Sequence, residues 1–280
     1  MHELDQALLR ATCDQIAPGY DDADFFCAEV RARLLERLGL ISLTPDNILD
    51  LGTGTGTTVA QLRTHFPAAL IVGLDWSMNM LCSGSAIEAP ICADAHQLPL
   101  ADTSVDIVIS NMMLPGCADH EQVFREARRV LRNPGLFLFS TLGPDTLIEL
   151  RYAWSKVDPL PHVHAFADMH NIGDLLIQAG FREPVMDVEN LTVRYSDIAK
   201  LIDDLRGVAA TNKLRERRRG LTTPRLWQRM LQELEVTRNT HGKLQTSVEV
   251  ITGQAWTGQP DTGVAMHDGE ASFPLSRLKS

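Results

Sequence analysis

Several things that would fix a protein's class at once are scarce or missing here. The 280 residues hold five cysteines, Cys13, Cys27, Cys82, Cys92 and Cys117. They are odd in number and scattered, with no paired spacing, which argues against a disulfide framework and a zinc site and fits a reducing compartment, the cytoplasm. Positive charge is in deficit, with 26 lysines and arginines against 36 acids and a formal charge of -10. A general duplex-binding protein needs a dominant basic surface, so no nucleic-acid partner is expected and only a local basic patch has room. No uninterrupted apolar run is long enough to cross a bilayer. The first residues carry Glu3 and Asp5 where a signal peptide would have a basic start and an apolar stretch. No internal repeat is present. What remains is an average globular composition, 44% apolar and 22% charged, in a chain long enough for one domain with additions, or two at most.

The apolar pattern divides the chain. Phe26, Val30, Leu34, Leu35 and Leu38 recur at helical spacing within Asp24 to Leu38, so an amphipathic helix precedes the first strand, read at Asn47 to Leu51. Strand-like and helical runs then alternate through Leu70 to Leu74, Ser77 to Cys82, Val105 to Ser110, His120 to Arg132 and Leu136 to Thr141. Such alternation predicts a parallel sheet covered on both faces. Helices are expected at Asp145 to Val157 and at His170 to Ala179, the second stopped by Gly180. A further strand is read at Val185 to Tyr195. About fifty residues rich in helical periodicity and arginine then precede the last strand-like segment, Ser247 to Trp256, too many for a plain connection. The expected organisation is an α/β core over 1–195, an inserted helical lid over 196–244, a last core strand over 245–256 and a mobile tail over 257–280.

The strongest chemical signal is Ile48-Leu49-Asp50-Leu51-Gly52-Thr53-Gly54-Thr55-Gly56, an apolar strand running into a glycine-rich turn that opens a helix. Glycines there let the backbone approach a ligand closely. Asp75 ends the next strand, where a carboxylate can accept both hydroxyls of a ribose. A dinucleotide and a methyl donor both satisfy this pair. The glycines fall at alternate positions, without Gly-x-Gly-x-x-Gly spacing, which weakens the dinucleotide reading. Asp106 reads as an ordinary strand-flanking acid.

With Asp50 to Gly56, Asp75, Ala93-Asp94-Ala95 and Val105 to Asn111 in this order, the chain resembles the class I S-adenosylmethionine-dependent methyltransferases. That resemblance implies a Rossmann-like, doubly wound, seven-stranded α/β sheet. It also implies that Asp50 and Trp76 belong to the donor site, that Gly52, Gly54 and Gly56 border the methionine portion of the donor, that Asp75 holds the ribose, that Asp94 and Ala95 face the adenine, and that Asn111 sits near the donor methyl. The second half, at Thr141 to Arg151, Phe166 to Leu176, Ala179-Gly180-Phe181, Pro184 to Asp187, Arg219-Gly220-Leu221 and Gly253 to Trp256, is similar to the malonyl-acyl-carrier-protein O-methyltransferases of biotin synthesis. The chain departs from that family's pattern at Cys13, at Leu114 to Cys117 and at Arg132 to Gly135. Its Asp145 to Leu147 and Ala179 to Phe181 regions also resemble a methyltransferase-like assembly factor that hydroxylates arginine, and a binding-only relative is a third alternative.

The family resemblance implies a substrate, malonyl-acyl carrier protein or malonyl-CoA. A malonyl carboxylate is already ionised near neutral pH, so its methylation needs placement and a dry wall, without a general base or a metal. Tyr20 and Phe166 match family positions lining that pocket. Arg151 is the candidate to orient the carboxylate, because a guanidinium presents a planar fork. Lys213, Arg215, Arg217, Arg218 and Arg219 form a basic run beside the lid, with Arg225 and Arg229 following, suited to steering an acidic carrier protein. His162, His164, Asp168, His170 and Asp174 are read as loop and cap residues, with no metal expected.

Overall fold

The computed structural model describes residues 3–84 and 86–258, together with the backbone of two short strands further on. Helices α1 (Gln6–Ile16), α2 (Tyr20–Ala23) and α3 (Phe25–Glu36) lead into strand β1 (Asn47–Leu51). There follow α4 (Thr57–His65), β2 (Leu70–Asp75), α5 (Met78–Ser83), β3 (Ala89–Cys92), β4 (Val105–Asn111), α6 (His120–Val130) and β5 (Leu131–Leu142). The remainder is α7 (Ile148–Ser155), α8 (Met169–Gln178), β6 (Arg182–Tyr195), α9 (Ile198–Gly207), α10 (Pro224–Glu235), β7 (Leu244–Trp256) and the hairpin β8 (Ala265–His267) and β9 (Glu270–Ser272).

The seven-stranded sheet has the order β3-β2-β1-β4-β5-β7-β6. Alternation within the strands sends side chains to two cores. Leu49, Leu51, Val108, Phe137 and Phe139 pack with Phe124 and Ala127 of α6 and Ile172 and Leu176 of α8. Ile48, Ile107, Ile109, Leu136 and Leu138 pack on the opposite face with Leu34 and Leu35 of α3 and Val59 and Leu62 of α4.

The sheet is not wholly parallel, as the alternation had predicted. β1 to β5 pair in parallel, but β7 pairs antiparallel with both β5 and β6. The helical crossover through α7 and α8 places β6 two positions beyond β5, leaving a gap between them. β7 then returns through an insertion whose two ends lie side by side, and enters the gap from the opposite direction.

Two other expectations need correction. The helix read from Asp145 begins only at Ile148, because the preceding turn is tied to β7: the Gly143 and Leu147 amides donate to the carbonyls of Glu249 and Ser247, both on β7. In the insertion, only α9 and α10 are helical. The stretch 208–223 between them pairs with the start of the chain through a Leu4–Leu214 bridge, an Asp5 amide donating to the Lys213 carbonyl and an Arg215 amide donating to the Glu3 carbonyl. The insertion has its own core, in which Leu201, Met230 and Leu234 pack on Leu150, Trp154, Tyr195 and Leu244. Thr257, expected at the start of the tail, is buried and donates from its hydroxyl to the Arg132 carbonyl; apart from that boundary and the β8–β9 hairpin, the tail lies outside the described residues.

Candidate active site

A cavity of about 480 Å³ opens at the carboxyl ends of β1, β2 and β4 and continues beneath the insertion. Its position follows from topology: β1 has β2 on one side and β4 on the other, so the connections diverge and leave a crevice. Gly52, Gly54, Asp75, Trp76, Asp94, Ala95 and Asn111 line one end, while Tyr20, His162, His164, Phe166, Tyr195 and Asn212 line the rest.

The glycine turn is held from below. The Gly52 and Thr53 amides both donate to the Leu74 carbonyl, at 2.8 and 2.9 Å. Gly52 has φ +79, and a side chain there would lie 2.4 Å from Met113 Cβ. Asp75 accepts from the Gly54 amide at 2.9 Å and the Ser77 amide at 2.8 Å, and burial raises its pKa. Asp94 accepts from the amide and the Nδ1 of His96. Met112, directly after β4, has φ +58 and is fixed by the Ser140 carbonyl and hydroxyl, while Asn111 donates to the Cys27 carbonyl at 3.1 Å.

Two residues expected to border the donor stand outside the cavity wall. Asp50 is 1% exposed and accepts from the Thr53 hydroxyl at 2.6 Å; burial pushes its pKa up to about 7, and its other oxygen has no partner among the described residues. It braces the turn from within. Gly56 has φ +84 and makes room for Ile87, whose Cγ1 would be 2.3 Å from an added side chain.

The substrate-side expectations divide. Tyr20 and Phe166 are on the wall. Arg151 is not, and its guanidinium is spent on three backbone carbonyls, those of Pro144 at 2.8 Å, Thr146 at 3.2 Å and His164 at 3.0 Å. The basic run is likewise corrected. Lys213 is 3% exposed and donates to Thr211, Arg217 pairs with Asp5 at 3.2 Å, and Arg218 pairs with the buried Asp158 at 2.8 Å. Arg215 and Arg219 are exposed but face Glu3 and Asp5. Folding thus places acids from the chain start against Arg215, Arg217 and Arg219, while Arg225 and Arg229 on α10 are exposed.

Sequence reasoning missed the role of the first helices. Asp14 accepts from the Ser77 hydroxyl at 2.6 Å, Asp21 from the Thr55 hydroxyl at 2.5 Å, and Gln6 donates to the Gly116 carbonyl, so residues 6–23 are strapped across the donor end. Tyr20 and the polar residues interleaved in that segment hinted at it. Cys13, Cys27 and Cys117 also reach the wall; burial raises their pKa values to about 11, 12 and 12, so they stay thiols and do not compete for an electrophile. The histidines and acids near Phe166 serve separate tasks: His162 bonds Asp158 and stacks on Trp154 at 3.7 Å, and Asp168 caps α8.

Sheet order and a glycine turn facing an acid at the next strand end define a class I methyltransferase fold. Residues 49–139 match the family described as "Methyltransferase domain". The fold is shared with the YcgJ protein of Bacillus subtilis, at 16% identity with TM-score 0.59 over 81% of this chain and 98% of that one. It is also shared with a SAM-dependent methyltransferase of Thermotoga maritima, at 14% identity with TM-score 0.53 over 89% and 99%. The malonyl-[acyl-carrier protein] O-methyltransferase of Gallionella capsiferriformans is 42% identical over 98% of this chain and 97% of that protein. The chain belongs to that family. Among the described residues no helix is long and apolar enough to cross a membrane.

Proposed function

We propose that this chain methylates the free carboxylate of a malonyl group carried by acyl carrier protein, with S-adenosylmethionine as donor, an early step of biotin synthesis in the cytoplasm. Malonyl-CoA presents the same pantetheine arm and is the alternative form of the substrate. The observation that carries the reading is one continuous cavity with two chemically different ends. The donor fits the first end: the Gly54 position is open, with nothing within 4 Å of an added side chain, and Asp75, Trp76, Asp94 and Ala95 are placed for a nucleoside. When bound it supplies an electrophilic methyl on a sulfonium.

The chain's own work is placement and exclusion of water. A malonyl carboxylate is ionised without help, so no base is required. Burial raises the Tyr20 hydroxyl well above its ordinary pKa, so it stays protonated and serves as wall and donor. Phe166 faces the same space, and Tyr195 at the end of β6 roofs it together with Leu201 and Leu205 of the insertion. Such a dry site favours a step in which opposite charges cancel, and the insertion acts as the lid that admits the malonyl arm.

The test is methyl transfer from labelled donor to malonyl carrier protein and to malonyl-CoA. A methyl ester forms, and Tyr20→Phe lowers kcat/KM roughly tenfold through one lost hydrogen bond to charge. Donor binding without any ester would sink the reading.

A further inference from the structure

The cavity wall carries three acids, Asp75, Asp94 and Asp204, yet among its described residues it has no lysine or arginine. A carboxylate entering it meets no fixed cation, so neutral donors must orient it. The amide and imidazole donors on the wall are tied in place by bonds of their own, the amides through one of their two N–H groups each. Asn111 donates to the Cys27 carbonyl, Asn212 to the Pro161 carbonyl at 2.8 Å and Gln6 to the Gly116 carbonyl at 3.1 Å. His96 is engaged at both nitrogens, by Asp94 and by the Asp119 amide, and His162 donates to Asp158 at 2.8 Å.

His164 is different. The backbone amide of Lys213 donates to its Nε2 at 3.1 Å. A backbone amide can only donate, so Nε2 is the bare nitrogen and the ring proton sits on Nδ1. Among the described residues that Nδ1–H meets no acceptor, while the ring lines the cavity 6.1 Å from the Phe166 ring. Burial, with Lys213 nearby, lowers its pKa to about 4, so it is a neutral donor at working pH.

We propose that the Nδ1–H of His164 is a donor that orients the substrate carboxylate beside the Tyr20 hydroxyl, the task expected of Arg151. The inference rests on the methylation reading. A single neutral N–H fixes one carboxylate oxygen and leaves the other free to attack, whereas a bidentate guanidinium engages both oxygens. Arg151 then acts at one remove, as a positioning residue, because it grips the backbone carbonyl of His164.

Amide substitutions separate this role from a structural one. In His164→Asn the amide nitrogen can stand near Nδ1, whereas in His164→Gln the amide carbonyl reaches the place of Nε2 and can accept from Lys213. Three quantities are measured for these variants and His164→Ala: kcat/KM with malonyl carrier protein, donor affinity by calorimetry, and the ratio of KM for malonyl carrier to Ki for acetyl carrier, which lacks the carboxylate. We expect His164→Ala and His164→Gln to lose about 10- to 100-fold in kcat/KM. They also lose the preference for malonyl over acetyl, with donor affinity unchanged, and His164→Asn recovers most of both. Recovery by Gln and not by Asn would make the ring a structural acceptor and overturn the proposal, as would a malonyl preference that survives in all three variants. Loss of that preference in all three, with donor binding intact, would support an imidazole donor that an amide cannot replace. No ester from the unmodified chain would instead fail the reaction itself, and this role with it.

Discussion

At the donor end of the cavity, the wall comes from strand ends and the turns directly after them: Gly52 and Gly54 after β1, Asp75 and Trp76 at β2, Asp94 after β3 and Asn111 at β4. At the substrate end, Tyr20, His164, Phe166, Tyr195 and Asn212 come from an early helix, a loop, a strand end and the insertion. The first end is made by backbone geometry, with amides and left-handed glycines braced on the sheet. The second is made by side chains that meet only after folding, around a small core separate from the sheet's own two. Backbone changes should therefore harm the donor end, while losses of single long-range contacts should harm the other.

The sharpest break is Gly52→Ala. Its left-handed backbone and the 2.4 Å approach to Met113 leave no place for a methyl group, so donor affinity measured by calorimetry falls about 100-fold or more. Affinity within threefold of the original would show that the turn yields.

Asp50→Asn comes next. A buried acid whose folded pKa is raised to about 7 keeps its proton while the unfolded chain loses it. Stability therefore declines as pH rises from about 4 to about 7 and is flat above, the reverse of an ion-paired carboxylate. Urea unfolding at several pH values should show a decline that is smaller in the variant than in the parent by on the order of 2–4 kcal/mol, the remainder belonging to other shifted acids such as Asp75. An unchanged slope would mean that Asp50 is ionised beneath the turn.

At the substrate end, Arg151→Met strands three carbonyls. The guanidinium is partly exposed, so we expect a loss of about 2 kcal/mol in urea unfolding. Donor affinity should stay within twofold, and a donor-side loss would erase the distinction between the two ends. The smallest effect belongs to the double change Arg215→Ala and Arg219→Ala, whose exposed pairs contribute under about 0.5 kcal/mol. KM for carrier protein should move about twofold or less, and a tenfold rise would restore the run as a docking surface.

The donor end was legible because its signals are local. Strand, turn and acid follow one another from Ile48 to Asp75, and each depends on near neighbours. The substrate end was less so. A basic run from 213 to 219 looks identical in sequence whether it faces solvent or acids, and Arg217 meets Asp5 across 212 positions. The helix expected from Asp145 was misjudged for a similar reason, since β7 takes the amides of the turn before it.

Sequence alone determined the α/β order, the glycine turn with its acid and the family resemblance, because periodicity, turn chemistry and motif spacing are carried by the chain itself. Tertiary structure alone decided the antiparallel place of β7, the neutralisation of the arginine run, the commitment of Arg151 to carbonyls and the proton on His164 Nδ1. A strand's direction and a donor's availability depend on which distant groups folding brings beside them, and spacing along the chain does not encode that.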